Sequence, residues 1–383
     1  MGLRCCMALV LPGGGARGAY QAGVLERLGE AIGGLDFRII TGVSAGAINA
    51  AYLANSAGTF AEATQALSEL WAGLTTERVL RAAPLQMVGN VMRWGTQLLS
   101  GGVQPLPAAR GLLDTAPLRA VLEHALAGPE GELSGVARKL EMGRLDAFAV
   151  TTTSYETGLA VTFAQRGPGQ PALSWERPQR VGQSARVGIE HVMASAALPL
   201  LFPAVQIEGA WHGDGSVRDT APLSPALHLG ADRIFIISTV RGPRAGVALP
   251  IASAPYPSLA RIVGVTLNSL LYGHAEYDAI QLRRLTELAR SCPAAQAAGI
   301  RPVDVLMVRP SEDLALIAAE YESQLPRSIR YLTRGLGTQE RNSADLLSAL
   351  LFESKYTRRL IECGRRDAEQ RLDELVAFVT EPT

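Results

Sequence analysis

Met7-Ala-Leu-Val-Leu-Pro-Gly-Gly-Gly-Ala-Arg-Gly18 and Phe37-Arg-Ile-Ile-Thr-Gly-Val-Ser-Ala-Gly46 are the two stretches whose reading decides the fold. Met7–Leu11 is a short apolar run stopped by Pro12 and three glycines, the pattern of a buried strand. A helix follows from about Gly18 to Ile32, with Tyr20, Val24, Leu25 and Leu28 at helical spacing. Phe37–Val43 reads as a second buried strand and Ala45–Ala54 as a second, alanine-rich helix. Strand–helix–strand–helix in this order demands parallel pairing, because a parallel return needs a crossover; the fold class is α/β.

Outward from that unit, Ala147–Tyr155 and Leu159–Gln165 read as a hairpin about Glu156-Thr157-Gly158, and Arg233–Val240 and Val303–Val308 as further buried strands. Asp114-Thr-Ala-Pro117 is a helix start, with the helix running to about Ala127. From Asp313 onward the pattern is helical and ends in an amphipathic segment over 355–379. Its mixed charges suit a solvated helix face. Repeats and linkers are absent, which favours one domain with a helical C-terminal extension.

Composition excludes several classes. With 48% hydrophobic and 19% charged residues among 383, the chain has material for a large core. Lys+Arg and Asp+Glu both total 36, and aromatics are 5%, so neither duplex nor single-stranded nucleic acid is an expected partner. The four cysteines, Cys5, Cys6, Cys292 and Cys363, show neither disulfide nor metal-ligand spacing, which fits a reduced, cytoplasmic setting and no metal. The apolar run at Cys5–Leu11 passes straight into the glycines without a cleavage site, and Val192–Val205 is too short to span a bilayer. A cytoplasmic protein, peripheral at most to the inner face of the membrane, is expected.

Two glycine motifs carry the chemistry. Gly42-Val-Ser44-Ala-Gly46 is a G-x-S-x-G sequence between a strand and a helix, where Gly42 and Gly46 relieve a sharp turn that presents the Ser44 hydroxyl. The helix that follows adds amide donors and a positive dipole beside a developing oxyanion. Gly13-Gly14-Gly15-Ala16-Arg17-Gly18 suits an anion-binding nest of backbone amides. It also satisfies G-x-G-x-x-G, but a dinucleotide site wants an acid at the end of the second strand, and Asp36 precedes that strand, which ends instead in Gly42-Val-Ser44. The base for Ser44 is less evident. Of the histidines at 124, 191, 212, 228 and 274, neither His228 nor His274 sits in a glycine-rich loop after a strand. His212-Gly-Asp214-Gly215-Ser216 lets the backbone approach a neighbouring site, and a buried carboxylate in reach of a serine can act as its base. Asp-Gly-Ser is also a common turn, so the residues alone leave the base open.

Taken together, Gly13–Gly18, Gly42–Gly46 and Asp214-Gly-Ser216 resemble the ordered motif set of the patatin-like phospholipase family. Ala194-Ser-Ala-Ala-Leu-Pro199 with Phe202-Pro203, and Arg218–Ala226 leading into the strand at Arg233, resemble the connections around the catalytic Asp in bacterial members. The resemblance spans about residues 5–240 and implies a three-layer α/β/α fold with a mainly parallel sheet. With the helical pattern from Asp313 onward, the expected organisation is a patatin-like catalytic domain over 1–310 and a helical extension over 311–383 packed on it. The resemblance further implies a lipid acyl hydrolase (a carboxylic-ester hydrolase) with Ser44 as nucleophile and Asp214 as base. Backbone amides over Gly13, Gly14, Gly15 and Ala16 would bind the oxyanion, Arg17 would support that loop, and no cofactor would be required. Two positions depart from the family: Pro12 stands where plant members carry an acid, and Ser216 where glycine is commoner.

The expected partner is a lipid. Residues 78–113 hold Arg78, Arg81, Arg93 and Arg110 and no acid, with a Leu/Met/Trp stripe and a Gly101-Gly102, Pro105, Pro107 stretch. A lid or a helix resting on an anionic membrane surface fits this pattern, as does a helix packed on the core. Two alternatives to hydrolysis use other chemistry or none: acyl transfer or thioester cleavage on the same dyad, and a nucleotide-binding or scaffold protein.

Overall fold

The structure is a computed structural model that describes residues 6–81, 89, 90, 92, 93, 96, 111–126, 128, 131–242, 256, 262, 265, 266, 269, 274–335 and 344–380. Ten strands form its sheet: β1 (Met7–Leu11), β2 (Ile39–Val43), β3 (Ala147–Ser154), β4 (Ala160–Arg166), β5 (Ser174–Arg177), β6 (Arg180–Ser184), β7 (Val205–Ile207), β8 (Ala210–Asp214), β9 (Arg233–Ile237) and β10 (Asp304–Val308). The helices are α1 (Gly18–Ala31), α2 (Ala45–Asn55), α3 (Phe60–Ala72), α4 (Thr76–Val79), α5 (Ala116–Leu126), α6 (Ser134–Glu141), α7 (Ile189–Ser195), α8 (Ser224–His228), α9 (His274–Ser291), α10 (Pro293–Ala297), α11 (Leu314–Tyr321), α12 (Arg327–Gly335), α13 (Ala344–Leu350), α14 (Ser354–Gln370) and α15 (Leu372–Thr380).

The strands run in the order β10-β9-β1-β2-β3-β4-β6-β5, with β10, β9, β1, β2 and β3 all parallel. Alternate residues of these strands feed two separate cores. Leu9, Leu11, Ile40, Phe148, Phe235 and Val308 face α1, α2, α3 and α14, whereas Ala8, Val10, Ile39, Ala149, Ile234 and Met307 face α8 and α9. A strand covered on both faces reads as a near-continuous apolar run, which is why β1 is apolar throughout and β9 is apolar after Arg233. The fold is therefore a three-layer α/β/α arrangement about a mainly parallel sheet. The expected hairpin at 147–165 is β3–β4, antiparallel from Ala147↔Arg166 to Thr153↔Ala160.

The expected lid or membrane helix over 78–113 falls mostly outside the described residues. No helix among the described residues is long and apolar enough to cross a membrane.

The C-terminal helix α14 crosses α1 backbone to backbone. A Cβ on Gly23 would overlap the Ile361 carbonyl oxygen, and one on Gly364 the Tyr20 carbonyl oxygen. The buried Tyr20 hydroxyl donates to Asp367 Oδ2 at 3.0 Å, and Asp367 also accepts from the Ser311 amide and hydroxyl at 2.9 and 2.6 Å. Burial and the neighbouring carboxylate hold the Tyr20 phenol well above its ordinary pKa, so it stays a donor. Gly364→Val is expected to wedge this crossing apart at a cost of about 3 kcal/mol, read as a lower urea midpoint; an unchanged midpoint would mean the helices are not in this contact.

Candidate active site

Three parallel strands end at one edge of the sheet, the place where open α/β sheets hold their ligands. β1 runs into Pro12–Gly15, β2 into Ser44, and β9 into Ser238 and Thr239. The fourth contributor arrives from the opposite direction. β2 pairs with β3 as far as Val43↔Thr151, and β8 takes over the same edge of β3 with Asp214↔Thr152. The last residue of β8 thus sits beside the residue that follows β2. Ser44 Oγ donates to Asp214 Oδ2 at 2.6 Å.

Each glycine around this pair has a steric reason. Ser44 holds φ 54°, ψ −127°, a strained conformation that a non-glycine residue keeps only when its surroundings impose it. A Cβ on Gly42 would overlap the carbonyl oxygen of Gly46, and one on Gly46 the carbonyl oxygen of Leu11, so α2 can leave the turn only with glycine at both places. A Cβ on Gly215 would strike the Thr151 carbonyl, so the chain can pass between that residue of β3 and Val43 at the end of β2 only as glycine. Gly13 passes directly over the serine: a Cβ there would lie 3.0 Å from Ser44 Cβ and 2.5 Å from Ser216 Oγ.

The stretch Ala194–Pro199 braces both members of the pair, a role that local patterning had not assigned. Ser195 Oγ accepts from the Ser44 amide at 2.9 Å and donates to the Thr151 carbonyl at 2.6 Å. The Asp214 amide donates to the Ala197 carbonyl at 2.9 Å, and the Thr153 hydroxyl to the Asp214 carbonyl at 2.8 Å. Its run of small residues ahead of a proline is the signal that marks such close approach.

Asp214 is fully buried. Burial pushes its carboxyl up to about 6, while hydrogen bonds from the Ser44 hydroxyl and from the Ser216 amide and hydroxyl pull it back. The Ser216 amide donates to Oδ1 at 2.8 Å, leaving Oδ2 for Ser44. Among the described residues no histidine hydrogen-bonds either Ser44 or Asp214. His212 Nδ1 shares a hydrogen bond with the Thr152 hydroxyl at 2.8 Å, His191 Nδ1 accepts from the Gly188 amide at 3.1 Å, and His228 stacks on Trp175 with centroids 4.3 Å apart. His124 is exposed on α5, and the side chain of His274 lies outside the described residues.

The glycine loop is fixed from below. Thr239 Oγ1 donates to the Gly13 carbonyl at 2.7 Å, and Gln21 Nε2 donates to the carbonyls of Pro12 and Ile237 at 2.9 and 3.0 Å. Gly15 takes φ 57°, which a side chain would resist, and Ala16 is buried in the 3₁₀ turn Gly15–Arg17. Among the described residues no group accepts from the amides of Gly13, Gly14 or Gly15. The Arg17 side chain is spent elsewhere: Nε donates to Ser348 Oγ at 2.6 Å and Nη2 pairs with the Asp345 carboxylate. Gly13, Gly15, Gly42, Gly46 and Gly215 thus gather at the Ser44–Asp214 pair, while Arg17 reaches into the C-terminal helices.

Beside Ser44 lies a small apolar cavity. Ile48, Trp71, Leu118, Leu122, Phe202 and Phe352 are among its walls, and Gly15 and Ser44 lie at its polar corner. Its lining suits the apolar part of an organic ligand. Among the described residues no group of His, Cys, Asp or Glu side chains is placed to hold a metal ion.

A sequence model of patatin-like phospholipases matches residues 9–227, more than half of the chain. The chain belongs to that family. The matched span of this patatin-like chain contains the residues of the Ser44–Asp214 site described above, except Ile237, Ser238, Thr239, the helical partners of Arg17 and Phe352 in the cavity wall. Similar solved structures include human GIVD cytosolic phospholipase A2 in complex with methyl gamma-linolenyl fluorophosphonate, 14% identical with TM-score 0.45, covering 98% of this chain and 59% of that one. VipD from Legionella pneumophila is 14% identical with TM-score 0.37, covering 93% of this chain and 66% of that one. The ExoU–SpcU complex from the type III secretion system of Pseudomonas aeruginosa gives 16% and TM-score 0.26, covering 98% and 78%. The patatin-like chain spans 59–66% of the length of the first two of these. No curated protein matches it in sequence.

A carboxyl whose pKa rises on folding contributes stability below about pH 4, where folded and unfolded chains are both protonated, and loses it as pH climbs through about 6 and the buried site must carry charge. Asp214→Asn removes that burden. It is expected to match the wild-type melting temperature near pH 4 and exceed it at pH 8 by the equivalent of about 3 kcal/mol; a pH-independent difference would contradict the buried-carboxylate geometry.

Proposed function

We propose that this chain is a lipid acyl hydrolase that cleaves carboxylic esters of phospholipids or lysophospholipids through an acyl-Ser44 intermediate. The observation that carries the proposal is the 2.6 Å hydrogen bond from Ser44 Oγ to the buried Asp214 carboxylate, at the corner of an apolar cavity. Asp214 takes the Ser44 proton as Oγ attacks the ester carbonyl. The carbonyl oxygen becomes an oxyanion, for which the amides of Gly13, Gly14, Gly15 and Ala16 serve as donors in this reading. Collapse breaks the bond to the alcohol oxygen, and protonated Asp214 returns its proton to that oxygen. Asp214 then deprotonates a water that attacks the acyl-serine, releasing fatty acid and restoring Ser44 Oγ–H.

Two observations support these roles. A carboxylate with pKa about 6 is mostly ionised at neutral pH, yet more basic than an exposed aspartate, as a general base requires. The cavity holds an acyl chain in preference to a polar substrate because its walls offer dispersion contact and few hydrogen-bond partners. The family's name and the phospholipase among the similar structures agree with the lipid assignment. We assign contact with an anionic membrane surface to the acid-free, arginine-bearing stretch over 78–113, which makes the protein peripheral to the inner face of the membrane.

Purified protein is expected to release fatty acid from phosphatidylcholine–phosphatidylglycerol vesicles. Ser44→Ala should reduce release to the uncatalysed level, and Asp214→Asn should lower it by ~10³-fold or more. Alanine at each of the five histidines should leave it within about threefold, since none serves as the base. Loss of activity in any histidine variant that still folds would remove Asp214 from its role.

A further inference from the structure

The family match stops at residue 227, yet part of the site's frame comes from well beyond it. Gly15, the left-handed residue of the oxyanion loop, rests against the last turn of α13: a Cβ there would overlap the Ala349 carbonyl oxygen. Two residues on, Arg17 is 3% exposed, and a charge buried that deeply is tolerated only when paired. Its guanidinium is held by α13: Ser348 Oγ accepts from Nε at 2.6 Å, and the Asp345 carboxylate pairs with Nη2, which also reaches the Asp345 carbonyl at 3.4 Å. Ser348 is itself oriented, donating to the Asp345 carbonyl at 2.7 Å.

As the chain leaves α13 it enters the cavity wall. Phe352 stacks on Trp71 with centroids 6.5 Å apart and planes at 17°, and both rings line the space beside Ser44. The two rings are pinned from behind. Thr76 Oγ1 donates to Glu353 Oε1 at 2.7 Å, Ser354 Oγ to the Ala72 carbonyl at 2.6 Å, and Trp71 Nε1 to Asn49 Oδ1 at 2.7 Å. Loop and wall therefore move only if α13 moves.

We propose that the 345–352 segment is a working part of the catalytic site: Asp345 and Ser348 are positioning residues that hold the Gly13–Ala16 loop over Ser44 through Arg17, and Phe352 sets the bulk of the acyl group admitted. The inference rests on the acyl-hydrolase reading of Ser44. Oxyanion donors act in the transition state, so loosening them lowers kcat with little change in KM, whereas reshaping the wall alters which chain is preferred.

The test uses the full chain, a hexadecyl fluorophosphonate to titrate and time the modification of Ser44, and p-nitrophenyl esters of four, eight, twelve and sixteen carbons. Per titrated site, Asp345→Asn and Ser348→Ala are expected to lower kcat and the inactivation rate ~10-fold or more, on short and long esters alike, with KM within about twofold. Asp345→Asn added to Arg17→Ala should cause little further loss, because both act on one contact. Phe352→Ala should shift the preferred ester to a longer chain and Phe352→Trp to a shorter one. A merely structural role would lower melting temperature and the titratable fraction but leave kcat per titrated site unchanged, and that result overturns the proposal. So does an unaltered chain-length profile in both Phe352 variants. If Asp345→Asn fails to fold, Ser348→Ala, which removes one neutral hydrogen bond, carries the same comparison. A wild-type chain that folds but is not labelled at Ser44 overturns the hydrolase reading, and this inference with it.

Discussion

Two strands compete for one edge of β3, and the position at which the first gives way to the second organises the whole site. β2 leaves at Val43 and β8 ends at Asp214, paired with consecutive residues Thr151 and Thr152 of the same strand. A slip of one residue in either pairing would turn the side chains concerned to the opposite face of the sheet. The serine–carboxylate hydrogen bond is thus specified by backbone register, whose many ladder bonds fix it more firmly than a side-chain contact alone could. Gly215, where any Cβ meets the Thr151 carbonyl, is the steric condition for that junction.

Holding the pair there has a cost in stability. Asp214 is taken wholly out of water, Ser44 keeps a positive φ, and the surrounding groups offset both. Ser195 spans the amide of Ser44 and the carbonyl of Thr151, and Ala197 takes the amide of Asp214, so one short stretch ties the two strand ends together. Ser216, where the family more often has glycine, adds its hydroxyl beside the carboxylate and moderates the rise that burial causes. The departure leaves Ser44 and Asp214 in place and alters the environment of the carboxylate.

Much of this was legible in the chain, unevenly. The first strand–helix–strand–helix unit and the turn at Ser44 are local features, set by apolar runs, glycines and proline between Met7 and Asn55, and the structure places β1, α1, β2 and α2 where those features put them. The hairpin β3–β4 and the strands β9 and β10 were equally readable. Asp214 was not, from residues alone. Its place depends on a pairing 62 positions away in sequence from Thr152, and β8 is a five-residue strand, Ala210-Trp-His-Gly-Asp214, with none of the alternation that betrays one. Only the resemblance to a family pointed there. The strands β5, β6 and β7 escaped for the same reason, each being five residues or fewer and too short for an alternation to show. Asp345, Ser348 and Phe352 had no local mark at all: on a helical segment they read as ordinary face residues, and their meaning appears once α13 is seen against the glycine loop.

The central claim is that a buried aspartate, with no histidine, activates Ser44, and the pH dependence of kcat/KM for a p-nitrophenyl ester tests it most directly. Burial sets the Asp214 carboxyl at about 6, so kcat/KM should fall tenfold per pH unit below an apparent pKa near that value. The same limb should persist unmoved when His191, His212 and His228 are each replaced by alanine. A limb that disappears or shifts in one of those variants, or a profile flat down to pH 4 in the wild-type protein, would contradict the account.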